Sequence, residues 1–366
     1  MRYASLFSGV GGFESGLNKL GFICVFASEI DKFASKAYET LYGCKPSGDI
    51  TKIDADLIPD HDLLTAGFPC QAFSYAGKRR GFEDTRGTLF FEIARIAKVK
   101  KPKYLLLENV KGLLSHDKGK TFEIMIKVLS SLGYTVDYTI LNSKYFGVPQ
   151  NRERLFIVGI LNEKVEPYKV EGNDVLSKSK RKMNELGINT FNFPFPNNQE
   201  VTSRLRDVLE EDVDVKYYLS EEKTKRFIRE FDSTHRRTHA IEVRSVATPD
   251  RLKKRHNGRR IKEDDEPSFT LTVTDRHGVV IGQYPNFRIR RLTPLECFRL
   301  QGFPDEYFRK LKDAGISDTQ LYKLAGNAVT VPVIEEIGRS ILNFEKGDDS
   351  NQPEHESEPE EQLNLF

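Results

Sequence analysis

The strongest constraint on the fold is an alternation of short apolar runs with helical patterns over the first 160 residues. The apolar runs predict strands at residues 3–7, 22–27, 63–66, 104–107, 134–141 and 155–160. Helical patterns lie between them, one ending at about residue 20 and others spanning about 31–41, 88–99 and 121–132. Strands that alternate with helices in this way are typical of an α/β protein with a doubly wound sheet.

A glycine-rich turn after the first predicted strand, with Gly9, Gly11 and Gly12, indicates a site for an adenosine-containing cofactor. Glycines let the backbone approach a ligand closely, and Glu29, after the second predicted strand, can accept hydrogen bonds from ribose hydroxyls. Glu14 stands where the pattern G-x-G-x-x-G would have its third glycine, which disfavours a dinucleotide. The turn alone leaves a nicotinamide dinucleotide and S-adenosylmethionine both open.

Cys70 follows Pro69 in a loop of small residues after the third predicted strand. Proline fixes its own torsion and biases Phe68 toward an extended conformation, which predicts the thiol just beyond the strand's carboxyl end. Open α/β sheets bind their ligands there, and a thiolate can form a covalent intermediate. From this loop alone, a nucleophile and a small buried cysteine are equally supported, because free cysteines are commonly buried.

Charged residues accompany two other predicted strands. Glu108 ends an apolar run, and Arg152 and Arg154 have the spacing of two that places side chains on one side of a strand. Alone, such a glutamate is more often a cap or an ion-pair partner, and such arginines more often lie on the surface. Together with Cys70 they supply a nucleophile, a proton donor and fixed positive charge near one sheet edge.

The composition favours a globular protein of the cytoplasm. The sequence has no run of about eighteen apolar residues, and its amino terminus lacks a signal-type segment. The four cysteines have neither paired nor metal-ligand spacing, so neither disulfides nor a metal site is expected.

The net charge of +2 conceals two unlike parts. Residues 345–366 contain eight acids and one lysine, a net charge of −7, which leaves +9 on residues 1–344. Four basic clusters lie between residues 235 and 291. Such a distribution favours a polyanionic partner, and nucleic acid is the obvious one.

Six short motifs occur in order along the chain. They are LFSGVGG at 6–12, GFPCQ at 67–71, ENV at 108–110, QNRER at 150–154, RLTPLECFRLQGFP at 291–304 and GNAV at 326–329. In this order they resemble the motifs of DNA (cytosine-5) methyltransferases of the bacterial and phage restriction-modification type. The resemblance covers residues 3–160 and 288–341.

The resemblance implies a catalytic mechanism. Cys70 attacks C6 of a cytosine flipped out of the duplex, and Glu108 contacts N3 of the ring. Arg152 and Arg154 position the base and its phosphate, with Arg154 the stronger catalytic residue. C5 then takes a methyl group from S-adenosylmethionine, while the base that removes the C5 proton stays unassigned.

The resemblance also implies the cofactor residues and the domains. The matching cofactor positions are Phe7, Gly9, Gly11, Gly12, Glu29, Ile30, Asp49, Ile50, Pro69, Asn327 and Val329. Two positions depart from the family pattern, since Ser5 replaces a common aspartate and Ile30 an aromatic found in some members.

The implied fold is α/β, a doubly wound mixed sheet of the S-adenosylmethionine-dependent methyltransferase type with a smaller irregular target-recognition domain. The expected boundaries are 1–161 for the catalytic domain, 162–287 for target recognition, 288–344 for the return to the catalytic domain and 345–366 for an acidic disordered tail.

Double-stranded DNA is the expected partner of a monomeric enzyme, and cytosine-5 methylation of transfer RNA is the alternative. The loop from Gln71 to about residue 84 is expected to close over the flipped base. The residues expected to contact DNA are Gln71, Ser74, Arg236, Arg237, Arg259, Arg260, Thr270, Leu271 and Arg276.

The chain ends with Gln362-Leu363-Asn364-Leu365-Phe366, which resembles the peptide by which bacterial proteins dock on the replication sliding clamp. A Leu-x-Leu-Phe anchor on a flexible tether suits an apolar pocket. An apolar end that packs back on its own domain is an equally supported interpretation.

Overall fold

The described residues of this computed structural model are 1–69, 89–162, 170–188, 190–225, 243–251, 259–264, 266–282 and 287–347. Several predictions concern residues outside these ranges. They are those for Cys70, Gln71, Ser74, Arg236, Arg237, the loop at 71–84 and the tail peptide at 362–366.

A six-stranded sheet forms the centre of the molecule. Its strands are β1 Arg2–Leu6, β2 Ile23–Ser28, β3 Leu63–Gly67, β4 Tyr104–Val110, β5 Tyr134–Asn142 and β6 Glu153–Leu161, in the order β2-β1-β3-β4-β6-β5. The first four run parallel, and β6 runs antiparallel to both of its neighbours. Gly67 pairs with Glu108 and Val110 with Arg154, so the carboxyl ends of β1 to β4 meet the amino end of β6 at one edge.

Helices cover both faces of this sheet. The described helices are α1 Gly12–Leu17, α2 Lys32–Tyr42, α3 Leu89–Lys100, α4 Lys120–Ser131, α5 Val175–Glu185, α6 Pro294–Leu300, α7 Asp305–Asp313, α8 Asp318–Asn327 and α9 Val331–Lys346. Successive residues of β4 point to opposite faces, so Leu105 and Leu107 share a core with α3 and α4. Tyr104 and Leu106 share the other core with α1 and α9. The predicted doubly wound mixed α/β fold is confirmed, and α9 returns the chain to its first helix.

A second, antiparallel sheet consists of β7 Val243–Val246, β8 Gly278–Ile281 and β9 Arg288–Arg291. Its small apolar core includes Val246, Val280 and Ile289. Because β9 pairs with β8, the expected domain boundary between residues 287 and 288 falls between two hydrogen-bonded strands. The described residues from 190 to 225 form mainly short 3₁₀ turns and irregular segments.

Three structural properties bear on the expectations from composition. Within the described ranges, no helix is both long enough and apolar enough to cross a membrane. The same ranges contain no group of three or more His, Cys, Asp or Glu side chains that could hold a metal ion. The described cysteines Cys24, Cys44 and Cys297 are free thiols.

Candidate active site

A cavity of about 400 Å³ lies where the parallel strands end. It is lined from both ends of the chain, by the turn after β1, the residues after β2, the end of α8 and the residues that follow α8. Most predicted catalytic and cofactor residues that the structure describes line it together. They are Phe7, Gly9, Gly12, Glu29, Ile30, Pro69, Glu108, Arg152, Arg154, Asn327 and Val329.

The turn after β1 is built from left-handed backbone. Phe7 has φ 55° and Gly9 has φ 59°, a backbone region that residues other than glycine rarely adopt. A Cβ on Gly11 would lie 2.1 Å from the Tyr42 ring, so this glycine permits packing and does not line the cavity. Gly12 does line it, and a Cβ there would meet Val329 at 2.6 Å.

The Glu29 carboxylate is held in place by backbone donors. Its Oε2 accepts from the Gly9 N–H at 2.8 Å, and its Oε1 accepts from the Asp31 N–H at 2.7 Å. Each carboxylate oxygen can accept a further hydrogen bond, as a ribose diol requires. Ile30, beside it, is 73% exposed and lines the cavity, which leaves an apolar surface free to contact an aromatic ring. These residues fit an adenosine-containing group.

Two predicted cofactor residues lie apart from the cavity. Asp49 caps a 3₁₀ turn and accepts from the Thr51 N–H at 3.1 Å and the Thr51 hydroxyl at 2.8 Å. Ile50 is buried in the core that also contains α3. Neither side chain is among those that line the cavity.

Buried Glu108 and half-buried Arg154 form an ion pair that lines the cavity. The antiparallel pairing of β4 with β6 brings them together, with 3.1 Å between Glu108 Oε1 and Arg154 Nε. Burial raises the pKa of Glu108 above its usual value, although the charges of Arg154 and Arg152 oppose the change. An acid of raised pKa beside a fixed cation can give a proton to a ring nitrogen and stabilise the charge that develops.

Arg152 has different surroundings from those expected of a residue that contacts base and phosphate. It is 2% exposed and donates to the carbonyls of Leu271 at 3.0 Å, through Nη1, and Ala328 at 2.9 Å, through Nη2. Burial lowers its pKa to about 9. Its side chain therefore fastens the segment around Leu271 to the turn that carries the predicted cofactor residues Asn327 and Val329.

Gln150 makes a second such connection, which the sequence analysis did not single out. Its Nε2 donates to the Leu300 carbonyl at 2.8 Å, and its Oε1 accepts from the Leu271 N–H at 2.9 Å. Gln150 is the first residue of the QNRER motif, and that motif could have indicated its importance. Its partners, more than 100 residues away, could not be read from that motif.

The predicted DNA-contacting arginines divide by burial. Arg260 is 9% exposed and donates to the Thr248 and Arg251 carbonyls, so its guanidinium stabilises the chain and is not free to read a base. Arg259 is exposed and forms an ion pair with Glu266 at 2.8 Å. Arg276 lies 5.2 Å from the centre of the Tyr322 ring.

Thr270 and Leu271, which were predicted to contact DNA, make contacts within the protein. The Thr270 hydroxyl donates to the Asn151 carbonyl at 2.6 Å, and Leu271 is buried. Thr270 therefore contacts a residue just before β6, and the Leu271 side chain belongs to the core shared by α2, α6 and α8. In this structure, Thr270 and Leu271 join the predicted recognition region to the active-site edge.

Comparisons with known proteins agree with this arrangement. The model of the C-5 cytosine-specific DNA methylase family matches residues 1–343. The orphan methyltransferase M.SPRI of Bacillus phage SPR is 41% identical over 94% of this chain and 98% of its own length. The type II methyltransferase M.SsoII of Shigella sonnei is 41% identical over 93% of this chain and 80% of its own.

Solved structures share the fold. The S. pombe Dnmt2 methyltransferase superposes with a TM-score of 0.64 at 23% identity, over 94% of this chain and 99% of that one. The Dnmt2 of Spodoptera frugiperda gives a TM-score of 0.63 at 20% identity, over 93% of this chain and 99% of the other. The fold, the composition of the cavity and the family match agree, and the chain belongs to the C-5 cytosine-specific DNA methylases as a DNA cytosine-5 methyltransferase.

Proposed function

We propose that this enzyme methylates C5 of a specific cytosine in double-stranded DNA through a covalent adduct between Cys70 and the flipped base. One observation carries the proposal. Pro69, which immediately precedes Cys70, lines the same cavity as the Glu108–Arg154 pair and the Gly9–Glu29 cofactor wall. A nucleophile, an acid and a methyl donor would thus meet in one place.

The chemistry explains why these groups belong together. C5 of cytosine is a poor nucleophile until a thiolate adds to C6, which turns the C5–C4 portion of the ring into an enamine. Glu108, with its raised pKa, protonates or hydrogen-bonds N3 as electrons move toward that atom. Arg154 holds the carboxyl in place. Once C5 has accepted a methyl group, a base would take the C5 proton, the bond from sulfur to C6 would break and N3 would return its proton to Glu108, which restores the aromatic base and the thiolate.

S-adenosylmethionine fits the cofactor side of the cavity, where it would supply an electrophilic methyl group. Glu29 would hold the ribose, and Ile30 would contact a face of the adenine. Phe7, Asn327 and Val329 complete the apolar and polar lining. In this proposal Asp49 and Ile50 lie beside the cofactor site, and neither lines the cavity.

Target recognition is assigned to the region between residues 162 and 287, together with β9. A base cannot be reached inside the stacked duplex, so recognition and flipping must precede the chemistry. Of the predicted DNA-contacting arginines that the structure describes, Arg259 is exposed, Arg276 is half-buried beside the Tyr322 ring and Arg260 is buried, so Arg259 is the most accessible to DNA. The kinship with type II methyltransferases supports a role in restriction-modification.

The test is covalent trapping on 5-fluorocytosine DNA, in which the fluorine blocks the final elimination. Full-length protein should form a denaturation-resistant complex with duplex DNA in the presence of S-adenosylmethionine, and Cys70→Ala should form none. Cys44→Ala, which removes an exposed thiol, is the matched control and should trap like the wild type. Trapping by Cys70→Ala, or methyl transfer to transfer RNA in place of duplex DNA, would overturn the proposal.

Docking on the sliding clamp is a separate proposal for the tail peptide at 362–366. The acidic segment between the enzyme and this peptide would let the Leu-x-Leu-Phe anchor reach a clamp without disturbing the active site. Full-length protein and a variant that ends at residue 361 are compared by pull-down with a bacterial sliding clamp. Equal recovery of the two contradicts the proposal.

A further inference from the structure

The two walls of the cofactor cavity come from opposite ends of the chain. Residues 7–31 form one wall, and residues 323–329, at the end of α8 and beyond it, form the other. Helix α8 is not part of the central sheet, so the hydrogen bonds of the sheet do not connect the walls directly. Apolar side chains pack the walls together, since Val10 and Ala34 share a core with Leu324 and Ala328, and polar contacts at the rim add to that packing.

One ion pair crosses the mouth of this cavity. Lys323 Nζ lies 2.5 Å from Asp31 Oδ2, and both residues line the cavity. Their side chains are 39% and 31% exposed, which places the pair at the rim and away from the buried Glu108. On α8, Asn327 lies one turn beyond Lys323 and therefore on the same face of the helix.

Asp31 transmits this contact to the opposite wall. Its Oδ1 accepts from two backbone N–H groups in the first turn of α2, which orients Oδ2 toward Lys323. Its own N–H donates to Glu29 Oε1 at 2.7 Å, while Glu29 Oε2 accepts from the Gly9 N–H at 2.8 Å. A continuous line of polar contacts thus runs from the glycine turn, through Glu29 and Asp31, to α8.

We propose that Asp31 and Lys323 are positioning residues that set the affinity for the cofactor by fixing Glu29 and holding the two walls together. The inference rests on the proposed function, in which Glu29 binds the ribose of S-adenosylmethionine. A partly exposed ion pair contributes little to folding. The effect of its removal should therefore appear in cofactor binding and not in the stability of the protein.

The test is calorimetric titration of full-length protein with S-adenosylmethionine. Lys323→Met removes the cation, and Asp31→Asn removes the anion but keeps a residue that caps α2 well. Each should weaken binding about fivefold to tenfold, and the double variant should be no weaker than either, because both break one contact. Lys323→Arg should restore binding. In methyl transfer, KM for the cofactor should rise while kcat at saturating cofactor is retained.

The pair Lys19–Glu335 supplies a matched control. It also joins the two ends of the chain, at 3.3 Å across 316 residues, but neither residue lines the cavity. Lys19→Met should bind the cofactor like the wild type, and all variants should melt at the same temperature without ligand. Wild-type affinity in Lys323→Met overturns the inference, as does additivity in the double variant, which would mean that Lys323 contacts the ligand directly. Failure of the wild type to bind S-adenosylmethionine would instead count against the proposed function.

Discussion

The sheet edge and the predicted recognition region use buried charge in opposite ways. At the sheet edge, buried Glu108 pairs with half-buried Arg154, and both side chains line a cavity. In the recognition region, buried Arg244 pairs with Asp264 at 2.8 Å, and buried Arg260 donates to main-chain carbonyls. Whether a buried charged side chain is available for chemistry or stabilises the fold therefore depends more on its partner and its location than on its residue type.

The difference follows from the two scaffolds. The central sheet is stabilised mainly by apolar residues buried on both of its faces. The second sheet has three short strands and a small core, so apolar burial contributes less to its stability. Buried arginine and lysine side chains that satisfy main-chain carbonyls provide further support, so part of the positive charge there is structural.

The largest effect is expected from Glu108→Gln. It keeps the shape of the side chain but removes the proton donor, and kcat should fall about a thousandfold, within the range of general acid catalysis. Glu153→Gln, which alters an exposed acid paired with Lys111 at the same sheet edge, should leave kcat within about twofold. Equal losses in the two variants would show that the site responds to any change of charge at this edge.

The pH dependence of kcat sharpens this prediction. Burial raises the pKa of Glu108, so the carboxyl keeps its proton to a higher pH than an ordinary glutamate does. If the protonated form contacts N3, kcat should decline as the pH rises through that raised pKa. The Gln variant should lack that decline, and a decline of the same midpoint in both enzymes would assign it to another group.

Glu14 is an exception to this comparison, because it is a buried acid of helix α1 with no ion-pair partner among the described residues. Neither carboxylate oxygen accepts a hydrogen bond of normal geometry from a described residue. Burial raises its pKa from 4.5 to about 7, and the nearby Ser5 and Tyr38 hydroxyls oppose this only weakly. Because the folded state holds the proton more tightly, stability falls as the pH rises from 4.5 through 7 and stays low above it.

Glu14→Gln should remove this penalty. At pH 8 the free energy of unfolding should increase by about 3 kcal/mol, whereas below pH 4.5 it should barely change. Urea unfolding of wild type and variant at the two pH values measures the difference. Equal stability at pH 8 would mean that the folded protein already stabilises the carboxylate, for example through internal water.

Sequence reasoning succeeded where local pattern determines structure. The six central strands were predicted to within about three residues, because continuous apolar runs mark buried parallel strands. It failed where distant contacts decide. Arg259 and Arg260 are indistinguishable in sequence, yet one is exposed and the other buried. Nothing local shows that Lys323 meets a residue 292 positions away.

Arg152→Met should separate two arginines that the sequence presents as a pair. Loss of the guanidinium leaves the Leu271 and Ala328 carbonyls without these donors, which should lower the free energy of unfolding by about 2 kcal/mol. Arg154→Met should instead abolish most activity with a smaller change in stability. Urea unfolding and single-turnover methylation measure both. An Arg152→Met enzyme of wild-type stability and greatly reduced kcat would place that side chain on the base after all.

The smallest effect is expected from Arg259→Gln, compared with its neighbour Arg260→Gln. Arg259 is exposed and pairs with Glu266, so its loss should change the free energy of unfolding by less than about 0.5 kcal/mol. If it contacts a phosphate, its loss should weaken binding to all DNA sequences alike. Binding should then release about one counterion fewer, which lowers the slope of log affinity against log salt concentration. Arg260→Gln should destabilise the fold without changing that salt dependence, because the buried guanidinium already binds main-chain carbonyls. Fluorescence anisotropy at several salt concentrations and urea unfolding test both variants. Reversal of the two patterns would mean that Arg260 leaves its carbonyls when DNA binds, and the distinction between structural and DNA-contacting charge would then hold only for the free enzyme.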